Sequence, residues 1–201
     1  TGIDTDHFQI SPYPEKNPVI FLLIARMLWD KGVGEFVEAA RQIKSAFSDV
    51  RFQLLGFLGV SNRTAISHQQ IQVWEVQGII EYLGETDDVR PYIADADCVV
   101  LPSYREGLPR TLLEAASMGR PIIATDVTGC REVVEHGVNG YLCKEKDAND
   151  LAEKMRDVIK LSCHDRKKMG LKGRKKMEDN FNEKIIVEKI VNRIENVLNV
   201  A

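Results

Sequence analysis

Six short runs of apolar, β-favouring residues punctuate the chain: Val19–Met27, Val50–Leu55, Ile79–Leu83, Cys98–Leu101, Pro121–Thr125 and Gly140–Cys143. They are apolar at consecutive positions rather than alternating, the pattern of a strand buried on both faces. Between and after them, apolar residues recur at helical spacing over Val33–Phe47, Thr64–Val76, Val89–Ala94, Pro109–Met118, Arg131–His136 and Asp147–Lys160. This alternation predicts an α/β fold: a Rossmann-like, doubly wound, mostly parallel sheet of about six strands with helices on both faces. Ligands of such sheets bind at the carboxyl ends of the strands. From Leu161 onward the pattern is helical only, and Ile185, Val187, Ile190, Val191, Ile194 and Leu198 fall near one helical period. Three segments are therefore expected: a lead-in over residues 1–18, the sheet domain over 19–160, and carboxy-terminal helices over 161–201.

Composition narrows the classes. A chain of 201 residues with 44% hydrophobic content can bury a sizeable core. A net charge of −3 gives no electrostatic reason to expect nucleic acid. Cys98, Cys130, Cys143 and Cys163 form no CxxC or other short metal-ligand spacing; Cys98 lies in an apolar run and is expected to be a buried free thiol, which suits a reducing cytosol. No apolar run approaches a membrane span of ~20 residues. The opening "TGIDTDHF" does not read as a signal peptide, and its abruptness is expected of a piece of a longer protein.

Several motifs lead nowhere. Gly32 and Gly34 in "KGVGEFVEA" make half of a dinucleotide fingerprint, but Val37 occupies the third position and four residues separate the strand from the glycines. The DxD pairs Asp4–Asp6 and Asp95–Asp97 are expected to be surface carboxylates. The first lies in an unanchored leading segment and the second at the amino end of a strand, away from the ligand face. His7, His68, His136 and His164 share no spacing for ligation or a triad and are expected at the surface. No metal site is expected.

"EGLPRTLLE", Glu106–Glu114, carries more chemistry. The strand before it ends at Pro102, and Pro109 suits a first helical turn, which leaves Glu106 and Gly107 in the loop at the carboxyl edge. The free backbone N–H groups of Arg110 and Thr111 then form an anion site at the helix start. Glu114 follows a little over one turn later. Carboxylates accept hydroxyl hydrogen bonds and a phosphate would sit between them, a layout that fits a nucleotide sugar. A helix dipole favouring nearby acids explains the same spacing without a ligand. Arg26 and Lys31 in "ARMLWDKG" follow the first strand on the same edge, where a guanidinium fork and an ammonium can neutralise a diphosphate.

"RMLWDKG", "SYREGLPRTLLEAASMGRPIIATD" and "GCREVVEHGVNGYL", in this order and spacing, resemble the carboxy-terminal half of a GT-B retaining glycosyltransferase of the group 1 family, in the branch building bacterial capsule, O-antigen and lipid-linked glycans. Glu106 and Glu114 match its E-x7-E motif. The resemblance covers nearly the whole chain; it likens the opening to the interdomain hinge and the final helices to the tail returning to an amino-terminal acceptor domain absent here. It implies that Arg26 and Lys31 bind the donor diphosphate and stabilise the leaving group, that Glu106 holds hydroxyls of the transferred sugar, and that Glu114 binds the ribose. Backbone groups of Gly107, Leu108 and the neighbours of Pro109 would contact sugar and phosphate. Gly56, Tyr82 and Leu83 would lie near base and ribose. Leu108 stands where many members carry an aromatic, so its contact falls to the backbone.

The implied reaction retains anomeric configuration and needs no metal or cofactor. Uridine diphosphate is the expected carrier, with guanosine and adenosine as alternatives. The expected location is the cytoplasm. The basic run "DRKKMGLKGRKKMEDN" suggests either a solvated helix face, the commoner reading, or peripheral contact with the inner face of the plasma membrane. Two other functions share the fold and site: a sugar-nucleotide epimerase and a non-catalytic nucleotide-sugar-binding module.

Overall fold

In the computed structural model, which describes residues 2–15 and 17–198, the six apolar runs become β1 (Val19–Ile24), β2 (Val50–Leu55), β3 (Glu81–Tyr82), β4 (Cys98–Leu101), β5 (Ile122–Thr125) and β6 (Gly140–Cys143). They form one sheet in the order β3-β2-β1-β4-β5-β6, and every pairing is parallel. A parallel sheet must be covered on both sides, and β1 shows how the sequence achieves this. Val19, Phe21 and Leu23 enter one apolar cluster, while Ile20, Leu22 and Ile24 enter the other.

Helices α1 (Val33–Lys44), α2 (His68–Val76) and α6 (Ala148–Lys160) close the first cluster with Phe36, Ile43, Trp74, Leu151 and Met155. Helices α3 (Arg90–Asp95), α4 (Arg110–Ser117) and α5 (Thr128–Val133) close the second with Ile93, Leu112, Leu113 and Val133. Each fully buried aliphatic side chain contributes about 1.5–3 kcal/mol. Strand order reverses between β1 and β4, which opens a crevice at their carboxyl ends. Beyond the sheet come α7 (Cys163–Lys176), a π-helical turn over Met177–Phe181 and α8 (Glu183–Leu198). In α8 Val187, Val191 and Ile194 are exposed; the side chains of Ile190 and Leu198, expected on this helix's apolar positions, lie outside the described ones.

Some boundaries move. β1 stops at Ile24, because Ala25 onward turns across the sheet edge. α2 starts at His68, where Ser67 caps the amide of Gln70. α5 starts at Thr128, three residues before the expected helix, and Pro109 is the cap of α4 instead of a residue of its first turn.

Two expectations fail on burial. The leading segment is anchored: Ile3 donates to and accepts from the backbone of Phe181 and Glu183 (2.8 and 3.1 Å), and Arg174 donates to the carbonyls of Thr5, Phe8 and Ser117. Asp97 is a buried carboxylate with 0% exposure, not a surface one. It accepts the amide of Ile20 at 2.9 Å and lies 3.6 Å from Arg166, while the Tyr13 hydroxyl donates to its carbonyl. Burial raises its carboxyl pKa, opposed by the Ile20 amide and Arg166. Asp95 and Asp6 are exposed as expected, and so are the four histidines. All four cysteines are free, with Cys98, Cys130 and Cys143 buried.

Candidate active site

The crevice is built from two loops laced together. After β1 the chain makes a 3-10 turn over Trp29–Lys31 and passes through Gly32 at φ 72° into α1. A Cβ on Gly32 would stand 2.1 Å from the carbonyl oxygen of Pro102. This glycine therefore serves close approach of the β1 and β4 loops, which explains half a dinucleotide fingerprint without a dinucleotide. Residues 57–67 run along the other side: Met27 donates to Phe57 O, Trp29 to Thr64 O, and the Thr64 hydroxyl to Asp30 Oδ1 at 2.6 Å.

The carbonyl of Asp30 accepts both the Tyr104 amide (3.0 Å) and the Ser103 hydroxyl (3.3 Å). Thr125 donates to Ser103 O at 2.6 Å, and the Tyr104 hydroxyl donates to Glu35 Oε1 at 2.7 Å. Fixed in this way, the loops bring Lys31 Nζ within 2.6 Å of Glu106 Oε1. Arg26 lies on the same edge, exposed, with no side-chain hydrogen bond or ion pair among the described residues.

Gly129, which sequence reasoning passed over, supports this loop from below. A Cβ there would meet Gly107 O at 2.1 Å and Glu106 O at 2.5 Å. Nothing around it in the sequence announces this contact. Gly129→Ala is expected to destabilise the fold by about 1–3 kcal/mol, as overpacking does, and to weaken nucleotide binding by displacing Glu106 and Gly107. Urea unfolding and nucleotide titration of the same variant check both. Cys130, next along, is buried, and burial followed by the Glu106 charge pushes its thiol up to about 12. It is no nucleophile near neutral pH.

α4 leaves the same loop with Pro109, which has no N–H, as its cap. The amides of Arg110 and Thr111 then have no partner within the helix and form an anion-favouring end. The Thr111 hydroxyl approaches Ile24 O at 3.4 Å, holding this helix end beside the end of β1. Glu114, one turn in, is 8% exposed and accepts from Arg110 Nε at 2.9 Å. Burial raises its carboxyl pKa, and Arg110 opposes the shift. Acidification therefore protonates Glu114 before an ordinary glutamate, and a protonated carboxyl loses an acceptor position. Nucleotide affinity is expected to fall through that raised range in a pH-titration series, and Glu114→Gln is expected to lose this dependence.

Gly56, Tyr82 and Leu83 gather at the ends of β2 and β3. Gly56 N donates to Gly84 O, the Tyr82 hydroxyl donates to Gly56 O, and Leu83 N donates to Leu54 O, all at 2.8 Å. Phe57, also unremarked in the sequence, exposes its ring beside them. Gly107 is exposed, and Leu108 is half-buried against the second cluster. A separate hollow of about 450 Å³ lies at the amino edge, walled by Asn17, His164 and Arg166 among others; its buried arginine already faces Asp97. Among the described residues no group of three or more His, Cys, Asp or Glu side chains is arranged to hold a metal ion.

The chain is similar to known proteins in sequence and in fold. The chain is 37% identical over 141 residues to N,N'-diacetylbacillosaminyl-diphospho-undecaprenol alpha-1,3-N-acetylgalactosaminyltransferase of Campylobacter jejuni, covering 70% of this chain and 35% of that protein. It is 30% identical over 196 residues to the putative colanic acid biosynthesis glycosyltransferase WcaL of Escherichia coli, covering 92% of this chain and 47% of WcaL. The chain thus spans roughly a third to a half of the length of these curated relatives. Among solved structures it resembles HepE of Anabaena in complex with UDP, with TM-score 0.85 and 22% identity over 97% of this chain and 56% of that one. Sucrose-phosphate synthase of Thermosynechococcus elongatus matches with TM-score 0.84 and 22% identity, over 100% of this chain and 52% of that one. At this identity the structural likeness shows the fold. Residues 18–160, well over half of the sequence, match the family described as Glycosyl transferases group 1, and the chain belongs to that family.

Proposed function

We propose that the whole protein is a retaining glycosyltransferase that moves a sugar from a nucleoside diphosphate sugar, with uridine as carrier, to a glycan or lipid-linked acceptor in cell-surface polysaccharide synthesis. This chain supplies the donor-binding half, and an amino-terminal domain supplies the acceptor site. The observation that carries the reading is the meeting of Lys31 and Glu106, 2.6 Å apart, at the edge where α4 presents its free amides. Support also comes from the relatives named for sugar transfer to a diphospho-undecaprenol carrier and for colanic acid biosynthesis.

In this reading Lys31 and Arg26 take the diphosphate, helped by the amides of Arg110 and Thr111. Glu106 and the backbone of Gly107 and Leu108 orient the sugar, with Pro109 shaping the helix entry. Glu114 accepts the ribose hydroxyls, and Gly56, Tyr82 and Leu83 border the base. As the bond from anomeric carbon to phosphate oxygen breaks, the acceptor hydroxyl bonds to that carbon from the same face. The departing diphosphate oxygen takes the hydroxyl proton. Catalysis is then positioning and stabilisation of charge growing on the diphosphate, without metal.

The test is a product assay on the full-length enzyme with UDP-sugars and a lipid-linked acceptor in EDTA, reading nucleotide release and anomeric configuration by NMR. Acceptor-dependent UDP release with retention is expected. Interconversion of the sugar nucleotide without acceptor would identify an epimerase, and no consumption of any sugar nucleotide a binding module.

A peripheral membrane contact is the remaining element. Lys167, Lys168, Leu171, Lys172 and Lys175 share the exposed face of α7 at helical spacing, and among the described residues no helix is long and apolar enough to cross a membrane. The full-length protein is expected to sediment with anionic vesicles at low salt and to be released at high salt; no binding at low salt would discard this contact.

A further inference from the structure

The cation meant for the donor already has an anion. Lys31 and Glu106 are only 20% and 13% exposed as side chains, so their contact is partly withdrawn from water. Their backbones cannot drift apart: Asp30, adjoining Lys31, holds Ser103 and Tyr104 through its carbonyl, and Gly129 lies against the carbonyls of Glu106 and Gly107. Only the side chains can exchange partners. A diphosphate entering between Lys31 and the amino end of α4 carries more charge than one carboxylate and competes for the same ammonium.

We infer that the Lys31–Glu106 ion pair is a built-in competitor of the donor diphosphate, broken when the donor binds, so that one event turns Lys31 to phosphate and frees the Glu106 carboxylate for the sugar hydroxyls. This rests on the donor-site reading above. Its consequence is that an empty site keeps both reactive side chains neutralised, and the diphosphate itself arms the sugar contact. A site competent only when the pair is open binds more weakly by the fraction of time it is open; a pair closed about nine-tenths of the time weakens apparent affinity about tenfold.

The experiment is a double-mutant cycle on the full-length protein, with UDP as the probe and NMR titration reading dissociation constants from micromolar to millimolar. Glu106→Gln, which keeps shape and removes charge, is expected to bind UDP about tenfold tighter than wild type while losing sugar transfer. In a Lys31→Gln background, which retains a neutral donor at this position, the same change is expected to shift affinity less than twofold. Equal tightening in both backgrounds would overturn the inference, because Glu106 would then simply repel phosphate. Unchanged or weaker UDP binding by Glu106→Gln would also overturn it, with the donor site left standing by wild-type binding. Failure of wild type to bind UDP would instead remove the donor reading and the inference with it.

Discussion

Replacing Lys31 by alanine is expected to lower sugar transfer by the full-length enzyme roughly 10²–10³-fold, the loss seen when one preorganised donor to a developing oxyanion is removed. The leaving diphosphate gains negative charge in the transition state, and Lys31 is the ammonium fixed at the carboxyl end of β1 by the Asp30–Tyr104 and Asp30–Ser103 bonds. The loss is expected in both donor KM and kcat, because Lys31 holds the diphosphate of the bound donor and holds it more strongly as its charge grows. Arg26, exposed and unconstrained, is expected to show the smaller effect of the two. Steady-state kinetics with saturating acceptor checks this. Full turnover by Lys31→Ala would remove this residue from the mechanism.

The largest stability effect is expected at Arg120. Its side chain is 1% exposed, lies over the Tyr13 ring at 5.3 Å, and donates to the carbonyls of Ser11, Pro12, Ile93, Ala94 and Met118 and to the Ser11 hydroxyl. These acceptors belong to the leading segment, α3 and the end of α4, so a single guanidinium joins three parts of the chain. Arg120→Ala is expected to cost about 3–5 kcal/mol, because it leaves buried acceptors unpaired and opens a void. Arg120→Met, which refills much of the volume, is expected to recover only the packing share. Equilibrium urea unfolding separates the two contributions, and a cost under about 1 kcal/mol for Arg120→Ala would mean that water replaces the guanidinium.

The sheet was readable because its strands are apolar at consecutive positions, and β1 supplies alternate residues to both core clusters. Periodicity overran at Ala25–Met27, where Met27 is buried although it belongs to the loop after the strand. α5 starts three residues before the expected helix, and its Gly129 is required by the loop of Glu106 and Gly107 pressing on it, a contact that only the folded chain brings together. Asp97 was misjudged for a similar cause. Nothing near it in sequence announces Arg166 or Tyr13, and burial of a carboxylate depends on such partners. The sequence positions of Glu106, in the loop after β4, and of Glu114, a turn into α4, were readable because a strand end, a proline and a helix start fix their places. The Lys31–Glu106 contact was not, because it depends on the register between two loops that only the folded sheet brings together.

The edge between Lys31 and the amino end of α4 is expected to hold a nucleoside diphosphate. Calorimetric titration of the full-length protein with UDP, GDP and ADP, in EDTA, tests it most directly. Selective binding of UDP, lost in Glu114→Ala and Lys31→Ala, is the predicted result. Binding of none of the three by the full-length protein, or UDP binding that survives both substitutions, would contradict it.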